Sequence, residues 1–218
     1  MSASQPIRCL ITAGPTREWL DPVRFVTNPS SGKMGFAIAA AARDRGWQVE
    51  LVTGPVALAA PEGVDCEKVV TGDEMLAAVQ RRFSQCDVLI KTAAVCDMRP
   101  KQCVDHKVKK GDMQWTVEFE PTTDILKTVA ATKSDQQVVV GFAAETDDVE
   151  GYAMRKLNEK NLDFICANQV GGSNNAFEAD DNTLVVIGAD GSRNVLGPAS
   201  KTAVGKMLID YLAAAFST

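Results

Sequence analysis

Histidine is nearly missing from this chain, with His106 as its one example. That removes the commonest general base and metal ligand. A Ser-His-Asp or Cys-His mechanism would have to be built on His106, which has no nucleophile signature around it. Cysteine occurs six times, at Cys9, Cys66, Cys86, Cys96, Cys103 and Cys166, but never as C-x-x-C. A zinc site is therefore not expected. Most of these cysteines lie in or beside apolar strands and read as small buried hydrophobes, whereas Cys96 and Cys103 fall in a polar loop and read as exposed thiols. No apolar run approaches a membrane-spanning length. The start, Met1-Ser2-Ala3-Ser4-Gln5-Pro6, is short and polar and lacks the apolar core of a signal peptide, so a cytoplasmic location is expected. Positive charge is not in excess either: the net charge is −5, which argues against broad binding to nucleic acid or anionic membranes.

What is present is an ordinary globular composition, 45% hydrophobic and 23% charged over 218 residues. That length suits one α/β domain, 1–218, with a sizeable core. No internal repeat, low-complexity run or interdomain linker is visible.

The chain is organised around residues 12–35. An apolar run, 7–13, reads as a strand. It empties through Gly14 into a polar loop, and a periodic helix leaves that loop. Such a strand–loop–helix is a ready anion site, because free backbone N–H groups and the positive helix end face one ligand. The helix is expected over 31–45. Ser30 or Ser31 is placed to cap it, and Met34, Ala37, Ile38, Ala41 and Ala42 are spaced along one buried face. Gly32 and Gly35 sit in its first turn, where a ligand needs close backbone approach. The pattern is not a Walker A loop, since Met34 follows Gly32-Lys33 where a hydroxyl is required. It is not a G-x-G-x-x-G fingerprint either.

Further along, strands are expected at 48–53, 66–70, 87–92, 137–142 and 162–167. Helices are expected from the capping box Thr71-Gly72-Asp73-Glu74, with Met75, Leu76, Val79 and Phe83 inward. Two more should cover 123–131, with Ile125, Leu126 and Val129 inward, and 148–161, with Val149, Ala153 and Leu157 inward. Residues 106–110 and 114–119 read as a projecting hairpin turning at Gly111-Asp112. Residues 171–175 read as a flexible loop. Residues 183–187 and 194–196 pair across Asp190-Gly191, before a closing helix with Val204, Met207, Leu208, Tyr211 and Leu212. Alternating strands and helices imply a Rossmann-like, mostly parallel sheet with helices on both faces. Ligands then bind beyond the carboxyl ends of the strands, which gathers the exits at Gly14, 93–97, 142–145 and Asn168.

Four groupings there carry chemistry. The first is the cradle, Gly14 with 30–35. The second is Lys107-Val108-Lys109-Lys110, where a strand would put Lys107 and Lys109 on one face; the same run is also an ordinary basic edge that discourages aggregation. The third is Tyr152, Lys156 and Lys160 on one helix stripe. Without an acidic partner, lysines at i, i+4 repel unless an anion lies between them, which points to a polyphosphate, although exposed lysine pairs are common. The fourth is Asp97, placed for a ligand hydroxyl or a metal, or as a simple loop cap. Phe142 ends a strand beside these lysines and offers either a face for a base or a plain core side chain.

Taken in order, these motifs resemble one family across nearly the whole chain. Thr12-Ala13-Gly14-Pro15-Thr16-Arg17-Glu18, Asp21-Pro22-Val23-Arg24-Phe25, Asn28, Ser30-Ser31-Gly32-Lys33-Met34-Gly35, Ala93-Ala94-Val95-Cys96-Asp97, Lys107-Val108-Lys109-Lys110, Asp124-Ile125-Leu126, Gly141-Phe142-Ala143-Ala144-Glu145-Thr146 and Lys156-Leu157-x-x-Lys160 look like the phosphopantothenate–cysteine ligases of coenzyme A synthesis. The resemblance implies that the carboxylate of 4′-phosphopantothenate attacks the α-phosphate of CTP and releases pyrophosphate. The amine of L-cysteine then attacks the acyl-cytidylate, giving phosphopantothenoylcysteine and CMP. Such chemistry needs positioning and charge neutralisation more than a protein nucleophile, so scarce histidine is no obstacle.

By the same resemblance, Asn28 holds the acid substrate and the acyl-nucleotide with Arg24 in support, the Ala93-Ala94 backbone borders that site, and Lys107 serves reaction of the intermediate with cysteine. The nucleotide would meet Gly14, Ser30, Ser31, Gly32, Gly35, Lys91, Thr92, Ala93, Asp97, Lys107, Thr123, Asp124, Ile125, Leu126, Phe142, Lys156, Lys160 and Asn168. Mg2+ would bridge the phosphates, with no assigned protein ligand. The resemblance further implies a homodimer, with the hairpin reaching the partner subunit. Many bacterial relatives carry a flavin-dependent decarboxylase domain ahead of this one. The chain is thus expected to be a free-standing ligase or an excised domain, and a separate decarboxylase becomes a candidate partner. Cys96 and Met98 depart from the small and aromatic residues usual there, and Thr123 stands where proline is frequent. The lysine pattern favours the bacterial CTP-using form over the ATP-using one. Two other readings remain: an NAD(P)-dependent Rossmann oxidoreductase, weakened by Thr53-Gly54 where an acidic ribose ligand should end the second strand, and a non-catalytic nucleotide-binding subunit, weakened by the joint presence of Asn28 and Lys107.

Overall fold

A computed structural model of the chain describes residues 5–111, 116–145, 147–169 and 179–215. Along the first strand, β1 (Arg8–Ala13), consecutive side chains enter two different cores. Cys9, Ile11 and Ala13 join one apolar cluster and Leu10 joins the other. This period-two split between two dry faces is what a central strand of a parallel sheet requires. After β1 come β2 (Arg17–Trp19), β3 (Phe25–Thr27), α1 (Lys33–Asp44), β4 (Gln48–Thr53), β5 (Asp65–Lys68), α2 (Gly72–Phe83) and β6 (Val88–Lys91). Then follow β7 (Met98–Pro100), β8 (Phe119–Pro121), α3 (Ile125–Ala130), β9 (Val138–Glu145), α4 (Val149–Glu159), β10 (Phe164–Gln169), β11 (Asp181–Gly188), β12 (Arg193–Ser200) and α5 (Lys201–Ala215).

Eight strands form the main sheet in the order β12-β11-β10-β9-β6-β1-β4-β5. The six from β10 to β5 are parallel, and β11 and β12 add an antiparallel hairpin at one edge. Helices α1 and α5 pack together on one face, over the cluster of Ile11, Ile38, Leu51, Val140, Leu184 and Leu208. Helices α2, α3 and α4 cover the other, over Leu10, Met75, Leu89, Leu126, Leu157 and Ile165. The expected α/β architecture with helices on both faces is the observed one. Among the described residues, no helix is long and apolar enough to cross a membrane.

Several local expectations change. The N-cap of α1 is Gly32 in the left-handed region (φ 76°), with no side-chain cap, where Ser30 or Ser31 was expected. The buried positions of α1 are Gly35, Phe36, Ile38, Ala39 and Ala42, while Met34, Ala37 and Ala41 are half-buried. The helix turns toward both the sheet and α5, so its buried face is wider than one stripe. The capping box at Thr71 is present, with Thr71 and Glu74 bonded reciprocally. Residues 107–109 are not a strand; the hairpin-like pairing is shorter and joins β7 to β8. The expected strand over 114–119, its turn at Asp112, residue Thr146 and the loop 171–175 lie wholly or partly outside the described residues. Cys96 is buried, not exposed, held against the carbonyls of Thr16 and Val26. Cys103 is exposed as expected. Met207 is exposed, because α5 buries Val204, Leu208, Ile209 and Leu212 instead.

Two helix or loop approaches are unusually close, and the second leaves no room for a side chain. A Cβ on Gly205 of α5 would lie 3.0 Å from the backbone of Ala37 in α1. A Cβ on Gly54, just past β4, would overlap the Pro15 carbonyl. Gly54→Ala must move backbone, so its cost is expected at the upper end of the roughly 1–3 kcal/mol of overpacking. That corresponds to a loss of about 6–12 °C in melting temperature for a domain of this size. Gly111→Ala, where a Cβ meets nothing within 4 Å, is the matched control; equal melting temperatures for the two variants would contradict the close approach.

Candidate active site

The strand order reverses direction beside β1: the chain runs outward through β4 and β5 on one side and through β6, β9 and β10 on the other. Connections diverge there, so a crevice opens at the carboxyl ends of β1 and β6. The two strand exits stay joined after the strands themselves end. Ala94 N–H donates to the Gly14 carbonyl at 2.9 Å, and Thr16 N–H donates to the Ala94 carbonyl at 3.3 Å. The buried Thr16 hydroxyl accepts from Cys96 N–H at 3.0 Å. Asn28, just past β3, reaches the same place, its Nδ2 donating to the carbonyls of Ala94 at 3.2 Å and Val95 at 3.0 Å. Glu18 serves structure: its buried Oε1 accepts from Gly72 N–H at 2.9 Å and ties β2 to the start of α2. Burial raises the Glu18 carboxyl above its usual range.

The result is a cleft of ≈ 270 Å³. Of the residues singled out from the sequence, Asn28, Ser30, Ser31, Gly32, Gly35, Lys91, Thr92, Ala93, Ala94, Asp97, Phe142 and Asn168 line it together. The cradle is tight. A Cβ on Gly35 would lie 2.5 Å from Thr92 Oγ1 and 2.6 Å from Ala13 Cβ, so only glycine lets α1 start this close to the sheet. Gly14, also left-handed at φ 71°, lies behind the lining, its Cα 3.5 Å from where a Gly32 Cβ would be.

The other predicted residues stand around the cleft or apart from it. Lys160 pairs with Asp124 at 2.7 Å and Lys156 with Glu145 at 2.6 Å. The expected repulsion between these lysines is therefore already answered by one carboxylate each. Tyr152 is exposed and carries the Arg155 guanidinium 4.9 Å from its ring. Asp124 caps α3, accepting from Lys127 N–H, and its carboxyl is held below the usual range, the bonds from Lys127 N–H and Lys160 outweighing burial. Thr123 is exposed, whereas the Ile125 and Leu126 side chains are core, so any ligand contact there must use backbone. Lys107 is exposed and outside the lining.

Arg24 also lies outside the lining, and the structure shows what it does instead. Its Nη2 donates to the Val108 carbonyl at 2.6 Å and pairs with the buried Asp21 at 2.9 Å. Asp21 in turn accepts from Val23, Arg24 and Val108 N–H groups. Together they fasten the loop that carries Lys107.

Lys91 is the electrostatic centre of the cleft. Its Nζ donates to the Ala93 carbonyl at 3.1 Å. Removal from water, and then the neighbouring Lys160, bring its ammonium down to about 8. The lining also includes Lys33, Met34, Val95, Ala143, Ala144, Asn182 and Lys201, which sequence reading did not place among site residues. Lys33 and Met34 lie inside the cradle motif, and Ala143 and Ala144 inside an anticipated exit. Asn182 and Lys201 carry no local signal, since only the edge hairpin and the packing of α5 on α1 bring them here. Among the described residues, no group of three or more His, Cys, Asp or Glu is placed to hold a metal, and Asp97 is the one carboxylate in the lining.

Comparison with known proteins identifies the setting. Residues 5–216 match the family model "DNA/pantothenate metabolism flavoprotein C-terminal domain". The coenzyme A biosynthesis bifunctional protein CoaBC of Bacillus subtilis is 46% identical over 206 residues, 94% of this chain and 50% of that protein. The chain thus spans about half the length of the curated relatives it matches. The crystal structure of the C-terminal domain of a CoaBC protein superposes with a TM-score of 0.83 at 43% identity, covering 98% of this chain and 97% of that one. A Cab2 variant in complex with phosphopantothenate-cysteine shares the fold (TM-score 0.81, 16% identity, 97% of this chain and 86% of that one).

The lowered Lys91 ammonium has a measurable consequence. Folded Lys91 gives up its proton near pH 8, so affinity for an anion beside it should fall as pH rises from 7 to 9. Over that window Lys91→Met should flatten the profile. Isothermal titration of CTP at several pH values measures this, and an unchanged slope in the variant would remove Lys91 as the cause.

Proposed function

The chain belongs to the family of DNA/pantothenate metabolism flavoprotein C-terminal domains, and on that footing we propose that it is a phosphopantothenate–cysteine ligase of coenzyme A biosynthesis, driven by CTP. The observation that supports this most directly is the convergence of Asn28, the 30–35 cradle, Lys91, Asp97 and Phe142 on one cleft at the switch point. A hydride-transfer enzyme would use the same crevice, but β4 ends at Thr53 with Gly54 packed against Pro15, and no acidic side chain stands there for a ribose.

The chemistry asked of this cleft is activation of a poor electrophile. A carboxylate resists amines. Attack of its oxygen on the α-phosphate of CTP breaks the α–β bridge, releases pyrophosphate and gives an acyl-cytidylate. The cysteine amine then adds to the acyl carbon, loses a proton, and expels CMP to leave an amide. Both steps move negative charge between fixed positions, so the protein contributes alignment and oriented dipoles. In this reading the backbone around Gly32 and Gly35 receives phosphate oxygens, and Asn28 orients the acid against the α-phosphate. Lys156 and Lys160 exchange Glu145 and Asp124 for the nucleotide, with Phe142 beside the base. Among the described residues Asp97 is the one carboxylate of the lining, so the residues fit magnesium only as an ion that brings most of its ligands with it; Asp97 would help hold it, and it would supply neutralisation of phosphate charge. Lys107, on the loop held by Asp21 and Arg24, acts on the intermediate during its passage to cysteine.

We also read the chain as a homodimer. Val23 in the turn before β3, Met98 in β7, Val117 in the chain entering β8 and Phe119 at the start of β8 are all exposed. Sedimentation should give twice the 23.3 kDa chain mass, and Phe119→Glu should shift it toward monomer.

The direct test is pyrophosphate release with 4′-phosphopantothenate, magnesium and CTP or ATP, with and without cysteine. Release with CTP and a cysteine-dependent product of the correct mass are expected; folded, dimeric protein that releases nothing with either nucleotide would overturn the proposal. Asn28→Asp should lower turnover by about 10²-fold or more, the scale of losing one oriented dipole near developing charge, because it sets a carboxylate against the Ala94 and Val95 carbonyls and an anionic ligand. Lys107→Gln should still form acyl-cytidylate in a single turnover yet fail to consume it with cysteine. Normal product formation by Lys107→Gln would cancel that role.

A further inference from the structure

Thr16, just before β2, is fully buried, and every polar atom it carries is spent on the segments around Asn28. Its N–H donates to the Ala94 carbonyl at 3.3 Å, and its hydroxyl accepts from Cys96 N–H at 3.0 Å. Its carbonyl accepts from the hydroxyl of Thr27, the residue before Asn28, at 2.6 Å. Asn28 is bound to the same loop, since its Nδ2 donates to the carbonyls of Ala94 and Val95. The Ala94 carbonyl is therefore shared, taking Thr16 on one lone pair and Asn28 on the other. An amide nitrogen carries two hydrogens, so both of those on Asn28 are spent, and the direction of its side chain follows these two carbonyls. The Thr16 hydroxyl is itself backed. Glu18, two residues on, is buried too, and Gly72 N–H and the Thr16 hydroxyl work against the effect of burial on its carboxyl. A carboxylate only accepts, so it takes the hydroxyl proton and leaves the hydroxyl oxygen to accept from Cys96.

We propose that Thr16 is a positioning residue for the step that activates the acid: it fixes the segment from Ala94 to Cys96 against Thr27, and through the Ala94 and Val95 carbonyls it sets the amide of Asn28. The proposal rests on the ligase reading only for the step that this amide serves; the hydrogen-bonded link stands on the geometry. Thr16→Val keeps the shape and both backbone bonds but turns a methyl group toward Cys96 N–H. A buried donor left without an acceptor is costly, so its segment shifts to find one and the two carbonyls move with it. Thr16→Ser keeps the hydroxyl and with it the link.

Two measurements on the whole protein test this. The first needs no substrate: the solvent-exchange rates of the Asn28 Nδ2 protons, read by NMR of isotope-labelled protein and assigned by their loss in Asn28→Ala. Thr16→Val should raise those rates by about tenfold or more, the scale of leaving one buried N–H unsatisfied, and Thr16→Ser should stay within about twofold of wild type. The second is single-turnover pyrophosphate release with saturating CTP and 4′-phosphopantothenate, on variants shown to be folded by circular dichroism. Thr16→Val should slow release by about tenfold or more in the wild-type background. It should cost Asn28→Ala nothing further, since the side chain it orients is already gone, whereas a merely structural role would slow both backgrounds equally. Where Asn28→Ala is too slow to follow, the exchange rates decide. Thr27 is exposed, so Thr27→Val, which removes the bond to the Thr16 carbonyl, carries the test in the same direction if Thr16→Val does not fold. Unchanged exchange rates, or an equal loss of turnover in both backgrounds, would overturn the positioning role. Faster exchange in Thr16→Val, with wild-type protein that releases no pyrophosphate, would support the link and sink the ligase reading instead.

Discussion

The architecture of this site depends on backbone held against backbone where β1 and β6 end. The Gly14–Ala94 and Ala94–Thr16 hydrogen bonds continue the sheet past its last regular pair, as an isolated parallel bridge between Pro15 and Ala94. Gly54 presses on Pro15 from the other side, and Asn28 closes the arrangement by donating to the Ala94 and Val95 carbonyls. The Gly54 approach leaves no space for a Cβ, and a compact interior responds to one extra methyl group by moving its neighbours. The consequence is a rigid floor on which the few polar side chains of the cleft are set. A rigid floor is what a reaction requires when its catalysis comes from alignment, with no protein nucleophile.

Charge in the cleft is arranged for exchange. Lys156 and Lys160 are paired with Glu145 and Asp124. In the proposed reading, binding a polyphosphate would trade one set of ion pairs for another, and affinity would be set by the difference. This tempers nonspecific attraction of anions, in keeping with the overall charge of −5. Lys91, with its ammonium brought down to about 8, donates to the Ala93 carbonyl, and among the described residues no carboxylate accepts a hydrogen bond from it.

Much of this was legible in the sequence, for identifiable reasons. The long parallel strands announce themselves because both faces are apolar, as in 88–91 and 138–140. The Thr71 box marks α2 because capping is a local affair of four residues. The cleft floor was readable as motifs because glycines and small residues are fixed there by close approach. What the sequence concealed is non-local. Gly32 took the cap from the serines because the left-handed turn above Gly14 needs φ above zero. In place of the strand expected at 106–110, Val108 is bonded to Asp21 and Arg24 through its own N–H and carbonyl, a long-range pairing that no local window announces. Cys96 looked loop-like and proved buried, because the small β2–β3 hairpin, with no strong pattern of its own, folds over it. Lys201 and Asn182 joined the cleft through the packing of α5 on α1, which no local window contains.

That last packing has a consequence for the order of events during synthesis. Gly205 in the final helix sits on Ala37 in the first, a contact between segments about 170 residues apart whose formation must wait until both exist. A chain still emerging from the ribosome has a bare α1 and a cleft with one wall absent. Contacts this distant also slow folding, so the side of the cleft that carries Lys201 is among the last parts to form.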